Sequence, residues 1–398
     1  MKTPLATILR LVFATAGITF IAWSLAASWS DRVIAPAGTV ISDEIILSQP
    51  TTFVILDGRV GPDGPQGTLV LESTQAIGDK PLRWTITADD LDQDDQSPQF
   101  RPGVMTTLRG ARLGLLLVGL VMIGPIFVLQ ALRWWVLMRS RGLLVTLGRS
   151  FRLYMVGCFF NYAMPGLTGG DVVKAYYAAK GADRQADAVV SVVVDRIAGM
   201  IGLLVLACVA GLLTLNPGAP ELARHVTLYF WVILAIGIVA TWLYLSPSVR
   251  RLGSRRPWLT RIPGQRLIRT VDAALVAYRH HKLAVTAAVA ISVVVHVLIM
   301  TAATVAGHAL GMQTPVGLML VIMPVVIAGG ALPISPQGIG VMEALAMALL
   351  LDPPAATTIQ IIGMLITLRL YQMVYSLIGA LLLIGGDIHL HPGTSGQD

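Results

Sequence analysis

The chain has 398 residues, of which 55% are hydrophobic and 13% charged. Soluble domains carry about 25% charged residues, so this composition excludes an ordinary soluble enzyme and a disordered chain and points to lipid as the solvent. The formal net charge of +7 divides by position: residues 36–102 hold 11 acidic and 4 basic side chains, while the rest of the chain holds 25 basic and 11 acidic ones.

Leu11–Ala27 is the first candidate span. Lys2 and Arg10 before it put the N-terminus on the cytoplasmic side. A signal peptide cleaved after Ala26 or Ala27 is the alternative, and it leaves the following residues on the same outer side. Residues 1–35 are therefore read as a first membrane span and 36–102 as an extracytoplasmic insert. Within the insert, Thr52–Leu56, Thr68–Glu72 and Leu82–Thr87 are short and rich in β-branched residues. Asp57-Gly58, Pro62-Asp63-Gly64-Pro65 and Gly78-Asp79 punctuate them as turns. The acidic run Asp89–Asp95 lacks the glycine turn and terminal Glu of an EF-hand loop, so it reads as a flexible tether rather than a calcium site.

Residues 103–386 form the expected membrane body. Leu113–Leu132 is the second span, and Arg133-Trp134-Trp135 with the basic residues behind it marks a cytoplasmic boundary. Val189–Leu213 and Thr227–Leu245 follow as spans three and four. The loop Ser246–Lys282 carries nine Lys/Arg against one acid, Asp272, the strongest inside mark in the chain. Leu267, Val271, Leu275 and Tyr278 recur there at helical spacing beside arginines, as in an interfacial amphipathic helix. Leu283–Ala306 and Thr357–Gly385 are spans five and six, and the tail 387–398 is cytoplasmic. The two cysteines, Cys158 and Cys208, lie in apolar runs and make no disulfide framework.

Two apolar segments, Arg149–Lys174 and Pro315–Leu351, are interrupted by Gly and Pro. Each is a re-entrant hairpin or a pair of short spans. They resemble each other: Pro165 to Ala175 is ten residues, Pro333 to Ala344 is eleven, and a glycine pair and then an acid fall between. Each precedes a long apolar helix with an embedded arginine, Arg196 or Arg369. With three spans in each half, the second half runs upside down. The predicted fold class is thus an all-α polytopic membrane protein, an inverted repeat of about 3+3 spans with two broken hairpins and a small β-rich insert. Broken segments at matching positions of inverted repeats point to a transport site near the midplane. The alternative is that Pro and Gly only kink or pack helices.

Ionisable groups in lipid cost roughly 2.5–3.5 kcal/mol each on insertion scales. Asp171, Lys174, Asp195, Arg196, Glu343 and Arg369 lie in or beside apolar runs and together mark a polar interior. Asp195 and Arg196 also admit a place at a helix end, with Arg196 snorkelling. Glu343 is the natural partner of Arg369, and His296 reads as a packing residue. No histidine pair has metal-ligand spacing and no nucleotide-binding loop is present, so no cofactor, no catalytic chemistry and no nucleic-acid partner are expected.

The segment Asn161-x-x-x-Pro165-Gly166-x-x-Gly169-Gly170-Asp171-x-x-Lys174, followed by Ser191-x-x-x-Asp195-Arg196-x-x-Gly199, resembles the lysylphosphatidylglycerol synthase transmembrane-domain family, also called the flippase-like domain family. Pro333-x-Ser335-Pro336-x-Gly338-x-Gly340-x-x-Glu343 resembles that family's second motif, with Gln337 where a glycine is expected and Met342 where a basic residue is usual. The resemblance covers the chain apart from residues 36–102. It implies movement of polar-headed lipids between leaflets of the plasma membrane. The sequence ends shortly after its last span, so the soluble synthase domain of the fusion members is not expected. Carried onto this chain, the family pattern has Lys174, Arg196 and Arg369 engage a lipid phosphate. Asp171 and Glu343 pair those bases or hold an amine headgroup. Gly169, Gly170, Gly338 and Gly340 supply backbone donors and flex points. Asn161, Asp195 and Ser335 complete the expected substrate-binding set. Membrane lipids are the expected partners, together with an outer partner of the insert. Two other functions stay open: a polyprenyl-phosphate-dependent glycosyltransferase using Asp43-Glu44, and a scaffold presenting the acidic insert.

Overall fold

The computed structural model describes residues 15, 19, 21–26, 29–41, 45–61, 64–77, 80–93, 97–163, 169–180, 185–212, 221–245, 276–331, 335–351 and 356–384. Most of the expected first span lies outside these residues. So do Asp43-Glu44, Pro62-Asp63, Gly78-Asp79, Asp94-Asp95, Pro165-Gly166, Pro333, most of the basic loop, and the tail. The chain divides into two compact units. One comprises Met1–Leu117, Thr304–Thr314 and Ile339–Thr367, and the other Val118–Ala303, Pro315–Gly338 and Leu368–Asp398.

The first unit holds the β-sheet. Its strands are β1 (Arg32–Ala35), β2 (Val40–Ile41), β3 (Ile45–Ile46), β4 (Thr51–Gly61), β5 (Gly64–Ile77), β6 (Lys80–Thr87) and β7 (Gln99–Arg101). Five of them form one antiparallel sheet in the order β6-β5-β4-β1-β7, and β2-β3 pair separately. Alternate residues point inward, as the period of two requires. Val33, Ala35, Phe53, Leu69, Leu71 and Ile86 are buried in one core, and the Trp84 ring meets the Phe53 ring edge-on. The sheet takes in residues before 36, because β1 stands between β4 and β7.

Asp57-Gly58 is not a chain-reversing turn but a bulge inside β4. The register shifts on both sides of Asp57, Gly58 has φ +136°, and Asp57 Oδ1 accepts the Gly58 N–H at 2.9 Å. The described part of the acidic run is folded rather than a tether. Ala88–Asp90 make a 3-10 turn, and Asp92 Oδ1 accepts the Phe100 N–H of β7 at 3.1 Å. Asp31 ties the sheet to a short helix, α1 (Val104–Arg109). Its carboxylate accepts the Gly103 N–H at 2.8 Å and the Thr106 hydroxyl at 2.9 Å, at the start of that helix.

Among the described residues, four helices are long and apolar enough to cross a membrane: α2 (Leu113–Ser140), α5 (Gln185–Gly211), α7 (Lys282–Ala309) and α10 (Thr358–Ile384). They contain expected spans two and five, and they cover spans three and six apart from one or two residues at their ends. The expected fourth span falls within α6 (Glu221–Leu245). Helix α2 runs eight residues beyond the expected boundary at Leu132.

The first interrupted segment forms α3 (Leu147–Ala163) and α4 (Gly169–Ala179), folded back on each other. The second contains α8 (Val316–Ala331), a 3-10 turn over Pro336–Gly338, and α9 (Val341–Leu350). With 11 and 10 residues, α4 and α9 rise about 15 Å each. That is half of a hydrocarbon core about 30 Å thick, so neither crosses it alone.

Small residues set the packing of the second unit, as expected where lipid removes the hydrophobic drive between helices. A Cβ on Gly202 of α5 would lie 2.3 Å from Ser292 Cβ of α7. One on Gly379 of α10 would lie 2.1 Å from the Met155 carbonyl oxygen of α3.

Candidate functional site

The site lies in the second unit, where α2, α4 and α5 bring five charged side chains together. Arg133 of α2 donates from Nε to Asp195 Oδ1 of α5 at 2.7 Å, and from Nη1 to Ser292 Oγ of α7 at 2.9 Å. Lys174 Nζ of α4 lies 2.9 Å from Asp171 Oδ1, one turn earlier, and 3.9 Å from Asp195 Oδ2. Arg196 of α5 pairs with the other oxygen of Asp171. The order is Arg133, Asp195, Lys174, Asp171, Arg196: an alternating chain with a cation at each end.

Three cations face two carboxylates in this chain. Its first three members are sealed, with side-chain exposures of 7% for Arg133, 3% for Asp195 and 6% for Lys174. Arg196 is 47% exposed, so the chain opens at that end. Each sealed charge has an oppositely charged neighbour, which is what makes its burial tolerable. Lys174 has aromatic support as well, its Nζ standing 4.8 Å from the Tyr154 ring centre and 5.5 Å from that of Trp134. Trp134 Nε1 in turn donates to Ser191 Oγ at 3.0 Å.

Local sequence explains the placement. Ser191, Asp195 and Gly199 recur at every fourth residue of α5 and so share one face. Gly199 leaves room beside the arginine: a Cβ there would lie 3.2 Å from Arg133 Nη1. Gly157 of α3 does the same for Lys174, since a Cβ on it would lie 2.6 Å from Lys174 Cγ. Gly170 meets α3 backbone to backbone, with its Cβ position only 1.9 Å from the Gly157 carbonyl oxygen. The Gly170 N–H, left free at the start of α4, donates to Asn161 Oδ1 at 2.9 Å. Gly169 is the first residue of α4.

The second interrupted segment reaches the first through one residue. Gln337 Nε2 donates to the Asn161 carbonyl oxygen at 3.0 Å. Gln337 is left-handed, with φ 51°, as are Gly338 at 68° and Gly340 at 85°. A position of this kind favours glycine, which is the residue the family resemblance expects at 337. Ser335 is buried, and its Oγ has no hydrogen-bond partner among the described residues.

In the first unit, Glu343 is fully buried and its Oε2 accepts the Gly340 N–H at 2.8 Å, capping α9. Arg369 is partly buried on α10 and belongs to the second unit. Asp171 and Glu343 are each the third residue of their helices, α4 and α9. Arg196 and Arg369 are each the twelfth of theirs, α5 and α10.

Of the expected residues, Asn161, Gly170, Asp171, Lys174, Asp195 and Arg196 come together. Asp195 and Arg196 are well inside α5, not at a helix end. Arg133, Ser292 and Tyr154 were not among the expected residues. Arg133 and Trp134 are buried inside α2, which continues to Ser140. Of the basic residues behind them, Arg141 binds Asp187 at 2.8 Å and the Ala277 carbonyl at 3.0 Å.

Residues 103–382 match the family described as the lysylphosphatidylglycerol synthase TM region. The chain belongs to this family. It is a multi-pass membrane protein of a lipid-related family, and the five-stranded sheet precedes the matched region. No curated protein matches it.

Proposed function

We propose that this chain moves a phosphate-bearing lipid between leaflets of the plasma membrane, with both termini in the cytoplasm. The observation that carries the reading is the alternating chain ending in half-exposed Arg196. An incoming phosphate competes with Asp171 for Arg196 and Lys174 through charge-assisted bonds. Asp171, once displaced, keeps its share of Lys174, so no carboxylate is stranded in a dry site. The surplus cation balances one negative charge on the headgroup. Binding and release need no bond chemistry, and no enzymatic activity is proposed.

We further propose that the two interrupted segments are inverted repeats, with Glu343 and Arg369 as counterparts of Asp171 and Arg196. The matching helix positions of the two acids, and of the two arginines, support this. So does the Gln337–Asn161 bond between the segments.

The test is reconstitution in liposomes with headgroup-labelled phospholipids and polyprenyl phosphates, scoring leaflet exchange by chemical quenching of the outer leaflet. Exchange of at least one phosphate-bearing lipid above protein-free liposomes is expected. Absence of exchange for every lipid class ends the transport reading.

A further inference from the structure

A second cationic feature lies in the first unit, remote in sequence from Arg196. Strands β1 and β7 pair so that Arg32 stands directly opposite Arg101. Residues opposite each other in an antiparallel pair share a face, and like charges so placed are destabilising. Neither arginine makes a salt bridge among the described residues. Arg101 donates to Gln99 Oε1 at 2.8 Å. Arg32 Nε is closed off from solvent and has no hydrogen-bond partner among the described residues.

Both arginines line a cleft of about 240 Å³ with Ser30, Thr52, Thr357 and Thr358. The last two open α10. Thr357 and Gln360 form a reciprocal cap: the Thr357 N–H donates to Gln360 Oε1 at 2.9 Å, and the Gln360 N–H to Thr357 Oγ1 at 3.4 Å. The first intrahelical bond then runs from Ile361 N–H to the Thr357 carbonyl. The amides of Thr358 and Ile359 are left without a partner among the described residues, and both residues line the cleft.

We propose that this cleft binds the phosphate group of a ligand between the Arg32–Arg101 pair and the first turn of α10. Two arginines without a salt bridge among the described residues, the first-turn amides of α10 and three threonine hydroxyls offer donors, and a tetrahedral phosphate accepts at several oxygens. The volume is below the 300–1,000 Å³ or so of pockets for drug-sized molecules and suits a single headgroup. Its place at the end of a membrane-length helix makes a lipid headgroup and a free phosphate the two sources to separate. The site shares no residue with the Arg196 chain and does not depend on the transport reading.

The test is the unfolding temperature of the purified full chain, wild type against Arg32→Gln/Arg101→Gln. One arm titrates sodium phosphate against sodium chloride at matched ionic strength in detergent. The other compares nanodiscs of phosphatidylcholine with nanodiscs containing phosphatidylglycerol. A saturable rise with phosphate identifies a soluble source, and a rise confined to phosphatidylglycerol identifies a lipid one. In either case the double variant loses the rise, while unliganded it melts no lower than the wild type because a like-charge pair has been removed. If the double variant does not fold, Arg101→Gln alone, on the short outer strand β7, gives the same comparison. No rise in either arm, or a rise that persists in the variants, overturns the proposal.

Discussion

Lys174 Nζ stands between two carboxylates, 2.9 Å from Asp171 Oδ1 and 3.9 Å from Asp195 Oδ2, with a side-chain exposure of 6%. It is the link that joins the Arg133–Asp195 pair to the Asp171–Arg196 pair. Replacing Lys174 with Met keeps the stem that packs on Gly157 but leaves both acids with one cation each. A hydrogen bond to a charged group contributes about 1.5–3 kcal/mol. Lys174→Met is expected to lower stability by that order, read as the midpoint of thermal unfolding in a fixed detergent.

Arg133 and Asp195 offer a sharper comparison. Arg133→Met leaves Asp195 with only the longer contact to Lys174, and should cost about 3–5 kcal/mol. Replacing a whole buried pair with apolar groups is often close to neutral. The double variant Arg133→Met/Asp195→Leu is therefore expected to be more stable than Arg133→Met alone. A double-mutant cycle on unfolding midpoints measures the coupling, and additive losses would count against a buried ion pair.

The α3–α4 hairpin depends on Gly170. Its Cβ position is 1.9 Å from a backbone oxygen, which cannot yield as a flexible side chain can. Gly170→Ala is expected to force the helices apart at a cost of about 1–3 kcal/mol. Gly157→Ala should cost less, because its first neighbour at 2.6 Å is the methylene stem of Lys174. Unfolding midpoints for the two variants check the order.

Gln337 combines a left-handed backbone with a bond to the Asn161 carbonyl. Gln337→Gly relieves about 1–2 kcal/mol of backbone strain and loses a bond worth about 0.5–1.5 kcal/mol, so its net effect on stability is small. Gln337→Ala keeps the strain and loses the bond, and is expected to be the less stable of the two. Unfolding midpoints of the two variants decide it, and the reverse order would contradict the left-handed strain at this position.

Much of this architecture is legible in the sequence, because apolar runs of span length report lipid-facing helices directly. The motif residues around Asp171 and Asp195 were also legible, since charges within such runs need partners. Arg133 was not. An arginine followed by two tryptophans has the composition of a membrane boundary, and only the packing of α5 and α7 against it reveals Asp195 and Ser292. Strands β1 and β7 were missed for a different reason: at four and three residues they are too short to show a period of two. Asp57-Gly58 carries the usual turn signal, yet the same left-handed glycine serves a bulge. The place of Gln337 was marked by its departure from the family's glycine, although its bond to Asn161 was not.

The most direct test of the central claim is leaflet exchange of a fluorescent phosphate-bearing lipid in liposomes, comparing wild type with Arg196→Gln. Arg196 is half exposed, so the substitution should leave the unfolding midpoint nearly unchanged. Losing one charge-assisted contact to the phosphate, worth about 1.5–3 kcal/mol, predicts exchange slowed by roughly tenfold or more. Exchange by Arg196→Gln at the wild-type rate would contradict the account.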